Sequence, residues 1–121
     1  VGFPNLDTLN ITNMGDLKSI WPNQLAPNSF SKLKRLSFER CEGFDYVFPI
    51  SVAKVLQQLQ DLRINMCAIK NIVEKSDSSD MTHIYLVKLF VCGCNNMNAI
   101  VQSFVLFEAL DEVEVFGCHG V

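Results

Sequence analysis

The five cysteines of this 121-residue chain are its most reactive side chains, and two of them form the motif Cys92-Gly93-Cys94. A close pair of thiolates can begin a zinc site or form a disulfide. A zinc site needs four ligands that converge on one point, and the sequence holds no second close pair. We therefore interpret the cysteines as small packing residues, and we expect only Cys92 to be exposed. Free thiols in this number favour a reducing, intracellular compartment, which we take to be the cytoplasm.

The two histidines, His83 and His119, are the other candidates for chemistry. We expect His83 in an outer loop and His119 near the chain end, with no nucleophile or carboxylate placed beside either one. The sequence therefore predicts a protein that is not an enzyme, with no catalytic residue, no cofactor and no metal. A hydrolase or another enzyme remains an alternative, and it would need a convergent polar pocket.

A repeated unit positions the cysteines. In residues 86–100 the apolar residues follow one another at gaps of three, two, three, three and three. This is neither the alternation of a half-buried strand nor the rhythm of a helix, so we interpret it as a short strand followed by a tight inward turn. The apolar positions of this copy are Leu86, Leu89, Val91, Cys94, Met97 and Ile100. The inward turn holds Met14, Cys41, Cys67, Cys94 and Cys118 in successive copies.

Five copies of the unit account for nearly every apolar cluster. Their anchors are spaced by 27, 26, 27 and 24 residues, a period typical of a leucine-rich-repeat solenoid. The predicted fold class is an α/β solenoid, a horseshoe arc with a parallel sheet of about five strands on its concave face and loops or short helices on its convex face. We expect one domain fragment, residues 1–121, with repeats at approximately 3–29, 30–55, 56–82, 83–106 and 107–121. The anchors are Leu9, Leu36, Leu62, Leu89 and Val113.

The segments that return from one strand to the next differ in composition. Residues 20–29 hold two prolines and two asparagines, which predicts an irregular loop on the convex side. Pro49 and Ser51 predict a short helix from about Val52 to Gln60. Residues 74–80 are polar, so we expect them to be the most mobile segment. In the third copy, Lys70 interrupts the apolar pattern, which resumes at Val73.

Residues that alternate with the buried anchors should line the concave face. These residues form three rows that run across the five strands. In the first row, the charges of Arg35, Asp61, Lys88 and Glu112 alternate in sign, so neighbouring strands could form a chain of exposed ion pairs, worth about 0.2–1 kcal/mol each. Support of the strand register without any ligand is the alternative role for this row. The three rows are Thr8, Arg35, Asp61, Lys88, Glu112; then Asn10, Ser37, Arg63, Phe90, Glu114; then Thr12, Glu39, Asn65, Cys92, Phe116.

Phe90 and Phe116 stand out on this face. The predicted register exposes both phenylalanines and the Cys92 thiol side by side, next to Arg63. Aromatic side chains near an arginine are typical of a binding hot spot. The alternative is that flanking repeats or another domain cover them. The candidate protein-binding residues are Arg35, Ser37, Glu39, Asp61, Arg63, Asn65, Lys88, Phe90, Cys92, Glu112, Glu114 and Phe116.

Composition limits the classes of partner. Hydrophobic residues make up 49% of the chain and charged residues 19%, which is typical of a globular protein. The net charge of −3 argues against a nucleic-acid partner, and no apolar run is long enough to span a membrane.

The chain begins at Val1, so we expect it to be a piece of a larger protein. Its first and last strands carry no polar cap, so we expect apolar ends and a tendency to associate.

The unit L-x-x-L-x-L-x-x-C-x-x-L, with the phrases FPNLDTLNITNMGDLKSIW and FSKLKRLSFERCEGFDYVFP, resembles plant intracellular immune receptors. The family is the coiled-coil class of nucleotide-binding, leucine-rich-repeat disease-resistance proteins, and the resemblance covers essentially the whole chain. The family's P-loop, GxxxxGK[ST], does not occur in this sequence, so no nucleotide-binding residue is assigned. Lys70 and the short period before the last copy depart from the regular pattern.

This resemblance implies a role in recognition and control. The repeats would sense a pathogen effector or a modified host protein, and would hold the nucleotide-binding domain of the same chain inactive until then. The alternative is the substrate-receptor repeat region of a ubiquitin ligase, whose repeats also carry the cysteine. That class has more regular repeats and usually a helix in every return segment, whereas the return segments here are uneven.

Overall fold

Five parallel strands of five residues each form the main sheet of the protein. The computed structural model describes residues 6–15, 21, 32–53, 56, 58–74, 81–94 and 105–118. The elements in these ranges are β1 Thr8–Thr12, β2 Arg35–Glu39, β3 Tyr46–Phe48, α1 Ile50–Ala53, β4 Asp61–Asn65, β5 Asn71–Val73, β6 Thr82–Ile84, β7 Lys88–Cys92, β8 Val105–Phe107 and β9 Glu112–Phe116. Within these ranges the main sheet has the order β1-β2-β4-β7-β9, and the two-stranded sheets β3-β5 and β6-β8 lie in the return segments.

The register of the main sheet is the one that the repeat spacing predicts. The anchors Leu9, Leu36, Leu62, Leu89 and Val113 align one beside the other in the five strands. Because side chains alternate along a strand, the second apolar residue of each strand faces the same way as the anchor. In the three central strands both residues are buried. The five-stranded parallel sheet predicted from the spacing is therefore confirmed.

The hydrophobic core lies behind this sheet, against the return segments. The inward side chains of β2, β4 and β7 share one cluster with those of β3, β5 and α1. The helix α1 packs against β3 and β6. Trp21 is also buried in this cluster, and its indole Nε1 donates a hydrogen bond to the carbonyl of Val47 at 2.7 Å. Within the described ranges, the structure contains no helix long or apolar enough to cross a membrane.

Main-chain hydrogen bonds join the start of each strand to the preceding repeat. The carbonyl of Lys34 accepts the amides of Gln60 and Asp61 at 2.8 and 3.0 Å. The same two-amide arrangement recurs at the carbonyls of Asp7, Gln60 and Val87. One carbonyl in each repeat therefore sets the position where the next strand begins.

A residue with left-handed backbone follows each strand of the main sheet. The φ angles are 57° at Asn13, 55° at Arg40, 54° at Met66, 66° at Gly93 and 63° at Gly117. The amides of the first four donate hydrogen bonds of 2.7–2.9 Å to the carbonyl that ends the next strand. The inward turn of the repeat therefore depends on a conformation that glycine adopts without strain and that the other three residue types rarely adopt.

The helix prediction is wrong in its bounds. The helix α1 spans Ile50–Ala53, whereas the sequence predicted a helix from about Val52 to Gln60. The amides of Val52 and Ala53 bond to the carbonyl of Pro49, which begins the helix earlier than expected. Gln60 lies outside it because its amide already bonds to the preceding repeat. Residues 54, 55 and 57 lie outside the described residues.

The third repeat is one residue shorter than expected after its cysteine. Ile69 is fully buried and Lys70 is exposed, so Ile69 fills the place that Lys70 was assigned. The pairing of Tyr46 with Asn71 and of Phe48 with Val73 confirms the offset. The assignment of Val73 to the place of Val47 is therefore wrong, and Ile72 takes that place.

The end strands leave apolar residues exposed, as predicted. Val113 and Val115 of β9 are 48% and 37% exposed, although they align with buried residues of β7. Met14, assigned to the buried turn, is 48% exposed, and that assignment is wrong. The equivalent Cys41 packs over β1 and donates from its thiol to the carbonyl of Ile11 at 3.7 Å, whereas Met14 follows the edge strand itself.

Three sequence predictions concern residues beyond the described ranges. Apart from Trp21, the segment predicted as a convex loop at 20–29 lies outside them, and so do residues 75–80 of the segment predicted to be mobile. The buried positions assigned to Leu17, Ile20, Met97, Ile100 and Val121 also lie outside.

Candidate functional site

The main sheet has one face turned away from the core, here called the open face. It consists of the three rows of residues predicted for the concave face, and the register aligns every row as expected. All twelve candidate binding residues lie on it, and none of them is fully buried. The open face is therefore a continuous surface of side chains on a rigid, hydrogen-bonded backbone.

The charged first row does not form the chain of ion pairs that the sequence suggested. Arg35, Asp61, Lys88 and Glu112 are neighbours in register, but among the described residues no ion pair within 4.0 Å joins two of them. Asp61 instead pairs with Arg63, two residues along the same strand, with 3.4 Å between Oδ1 and Nε. Residues two apart on a strand point to the same face, so the long Arg63 side chain can reach Asp61 along β4.

Two depressions share Arg35 and Asp61 in their walls; the larger lies on the open face, and the smaller lies where β2, β4 and β7 begin. The larger, of about 320 Å³, includes Arg35, Ser37 and Arg63 in its wall. The smaller, of about 120 Å³, is lined in part by Lys34, Arg35 and Lys88. Lys34 was missed from the sequence because it precedes β2 by one residue, where strand alternation alone assigns no face.

Phe90 and Phe116 form an aromatic pair on the open face. Their ring centroids are 6.0 Å apart and the ring planes are inclined by 51°. Phe116 aligns with Cys92, so the two rings meet diagonally across β7 and β9, a distance that aromatic side chains can span. Phe116 is 55% exposed and Phe90 is half-buried, while Arg63 aligns directly beside Phe90. The adjacency predicted for the two phenylalanines is confirmed.

The cysteines divide into a buried and a half-buried set. Cys41, Cys67 and Cys94 are buried, and Cys92 and Cys118 are half-buried; all five are free thiols. The expectation that only Cys92 is exposed is wrong, because Cys118, which follows the edge strand β9, is half-buried to the same class as Cys92. Within the described ranges, no group of three or more histidine, cysteine, aspartate or glutamate residues is placed to hold a metal ion.

Burial changes the acidity of two of the buried thiols, Cys67 and Cys94. It raises the pKa of the Cys67 thiol from 9.0 to about 11, and it also raises the pKa of Cys94. The Cys67 thiol donates to the carbonyl of Asn65 at 3.3 Å, which fixes it inside the turn. The Cys94 amide donates to the Cys118 sulfur at 3.3 Å, so neighbouring turns are linked as well. These contacts give the inner cysteines a packing role.

His83 has a carboxylate partner, contrary to the expectation from the sequence. It lies in β6 rather than in a loop, and its Nδ1 is 2.5 Å from Oε1 of Glu108. Glu108 lies two residues beyond Leu106, the register partner of His83, and a two-residue offset returns a side chain to the same face. The pair is exposed and belongs to the return segments, away from the open face. His119 lies outside the described residues.

Comparison with known proteins places these features in a family. Residues 1–68 match the family model described as Plant disease resistance protein RPS2-like, leucine-rich repeats. No curated protein and no solved structure matches the chain. The matched residues are more than half of the 121 and include β1, β2 and β4, the first three strands of the main sheet. The chain therefore belongs to the family of leucine-rich repeats of RPS2-like plant disease resistance proteins.

Proposed function

We propose that this chain is a protein-recognition scaffold, the sensing and autoinhibitory repeat region of a cytoplasmic plant immune receptor with a nucleotide-binding domain. Its partners would be a pathogen effector or a modified host protein, and, before activation, the nucleotide-binding domain of the same receptor. The family supports a recognition scaffold. The order of the main sheet, in which each repeat adds one parallel strand, supports an arc of leucine-rich repeats.

The aromatic pair of half-buried Phe90 and exposed Phe116 is the observation that carries this proposal. An exposed aromatic pair loses the free energy that burial would provide, on the order of 25 cal/mol for each Å² of apolar surface. A partner that covers the pair recovers that free energy. The rings are held on two hydrogen-bonded strands, so little conformational entropy is lost when they bind. Arg63 beside them supplies a donor for the polar rim of such an interface.

A non-catalytic role agrees with the chemistry of the inner side chains. The Cys67 and Cys94 thiols have raised pKa values, so they are poor nucleophiles at neutral pH. The His83 and Glu108 pair lies apart from the open face. The side chains best placed to meet another molecule are therefore those that bind rather than react.

The proposal is tested in the complete receptor, expressed in leaf tissue with the effector that triggers it. We expect Phe90→Ala with Phe116→Ala to abolish effector-triggered cell death, or to cause cell death without effector if the face also holds the nucleotide-binding domain. Tyr85→Ala is the matched control, because Tyr85 is an exposed aromatic residue, 42% exposed, that follows β6 in a return segment. An unchanged response in the double variant, at normal protein level, would contradict the proposal.

A further inference from the structure

A cationic patch lies on the open face and at the start of its central strands, in a chain whose net charge is −3. We define the patch as Lys34, Arg35, Arg63 and Lys88, which line the two depressions around the single carboxylate of Asp61. Asp7 and Glu112 bound the patch on its two sides, next to Arg35 and Lys88. Arg35, Arg63 and Lys88 thus lie together on β2, β4 and β7, with Lys34 one residue before β2. The other carboxylates of the open face are Glu39, at the far end of β2, and Glu114, which aligns with Phe90 from β9.

The positive charges of the lysine and arginine side chains in the patch are only partly neutralised by nearby carboxylates. Arg35 and Asp7 are 3.9 Å apart, and their side chains are 66% and 55% exposed, so solvent screens that pair. Arg63 lies against Asp61 but remains 62% exposed. Lys34 and Lys88 are exposed, and no carboxylate of the described residues lies within 4.0 Å of either ammonium group. The patch therefore presents donors for additional carboxylates.

The aromatic pair begins where the patch ends. Lys88 and Phe90 are two residues apart on β7 and share the open face, a separation of about 6.6 Å for a strand. Arg63 and Phe90 are register partners on adjacent strands, about 4.8 Å apart. An extended polypeptide has the same two-residue repeat, so a carboxylate and an apolar side chain two positions apart can contact both sites at once.

We propose that the open face binds an extended, acidic segment of a partner protein, with its carboxylates on the cationic patch and an apolar side chain, two residues along, on Phe90 and Phe116. The inference rests on the proposed recognition function and states the chemistry of its ligand. Charge complementarity selects the acidic segment and speeds its encounter, while the rings supply the apolar contact.

The test uses fluorescent peptides and the whole chain. The probe is an acetylated ten-residue peptide with glutamate and phenylalanine two positions apart in an aspartate-rich sequence. One control peptide carries glutamine and asparagine in place of the acids, and a second carries serine in place of phenylalanine. We expect fluorescence anisotropy to show binding of the probe at least about tenfold tighter than of either control. Raising the salt from roughly 0.05 to 0.5 M should weaken it severalfold.

Variants locate the binding. Lys34→Glu with Lys88→Glu should weaken probe binding at least about tenfold, because attraction becomes repulsion at two exposed sites. Lys70→Glu is the matched control, an exposed lysine beside β5 in a return segment. Phe116→Ser should weaken binding of the acidic probe while leaving the serine peptide unaffected. Circular dichroism confirms that each variant is folded, which is expected because the substituted side chains are exposed or partly exposed.

Three outcomes would overturn the inference. The first is equal affinity for the acidic and the amide peptides. The second is a loss of probe affinity in Lys70→Glu as large as in Lys34→Glu with Lys88→Glu. The third is tighter binding of an oligonucleotide of the same charge, which would indicate a general polyanion surface. The same charge reversals belong in the receptor assay. If Phe90→Ala with Phe116→Ala abolishes the response and Lys34→Glu with Lys88→Glu does not, the recognition function stands and the acidic ligand is wrong.

Discussion

The backbone amide of Met66 donates a hydrogen bond of 2.7 Å to the carbonyl of Cys92, although Met66 has a left-handed φ of 54°. An L-residue in this conformation is strained by about 1–2 kcal/mol, and glycine is not. The Met66 side chain is 53% exposed, so its removal sacrifices little burial. The bond to the next strand is made by main-chain atoms and survives the substitution.

Met66→Gly should therefore stabilise the protein. The free energy gained by relieving the strain exceeds the free-energy cost of the extra entropy that glycine gives the unfolded chain. We therefore expect the free energy of unfolding to rise by roughly 0.5–1 kcal/mol. Urea denaturation of the two proteins measures it. Ser37→Gly is the control, because Ser37 lies inside β2 without a positive φ, and there glycine should destabilise by about 0.5–1 kcal/mol. Equal effects of the two substitutions would contradict the argument.

Gly93→Ala should destabilise the protein by about 1–2 kcal/mol. Gly93 has a φ of 66°, and a Cβ atom there would lie 3.2 Å from Cγ of Met66 and 3.7 Å from its Cα. Gly15→Ala is the matched control, because a Cβ atom at Gly15 would meet nothing within 4 Å. Thermal unfolding compares the two, and a similar melting temperature for both variants would contradict the assignment of strain to Gly93.

Leu62→Ala should cost about 2–5 kcal/mol, because the side chain is fully buried at the centre of the core. Val113 holds the same place in the repeat but is 48% exposed, so Val113→Ala should cost less than about 1 kcal/mol. The contrast tests the register, since both residues are predicted anchors. Free energies of unfolding from urea titration provide the comparison, and a near-neutral Leu62→Ala would show that the register is wrong.

Stability should fall as the pH rises above 9. The Cys67 thiol has a pKa of about 11 in the folded protein and 9.0 as a free thiol, so the unfolded chain loses its proton first. The contribution of this thiol to the free energy of unfolding is fully present below pH 9.0 and is lost as the pH rises towards about 11. Cys67→Ala should make the decline with pH less steep than in the parent chain. Guanidinium denaturation across this pH range measures both, and equal slopes would refute the assignment.

The isolated chain should associate through β9. This edge strand presents Val113 and Val115, and among the described strands only β7 pairs with it, an arrangement that favours pairing with another strand. Val115→Lys should reduce association by placing a charge on that surface. Glu114→Lys is the control on the same strand, because Glu114 points to the open face. Light scattering follows the molar mass, and a strictly monomeric parent chain would contradict the prediction.

The main sheet could be predicted because its determinants are local and repeated. A period-two pattern fixes which side chains turn inward, and five copies fix the strand order and register. The adjacency of Phe90 and Phe116 followed from that register alone. The same reasoning could not assign every turn residue, because Arg40 and Met66 adopt a glycine-like conformation that their types do not signal.

The errors arose where a three-dimensional partner overrides a local pattern. The apolar spacing after Pro49 suggested a longer helix, but main-chain bonds at Gln60 already begin the next repeat. A single missing residue moved Ile69 into the place assigned to Lys70. Asp61 was expected to bond across strands, yet Arg63 on its own strand is the closer partner. Side-chain partners of this kind depend on rotamers, which alternation does not determine.

The paired amides at the start of each strand have an evolutionary consequence. The carbonyls of Asp7, Lys34, Gln60 and Val87 hold successive repeats together with main-chain atoms alone. No side chain of the open face takes part in this bonding, so exchange of those residues leaves the spacing of the strands unchanged. Natural selection can therefore change the chemistry of this surface by single substitutions, while the architecture that carries the surface is inherited intact.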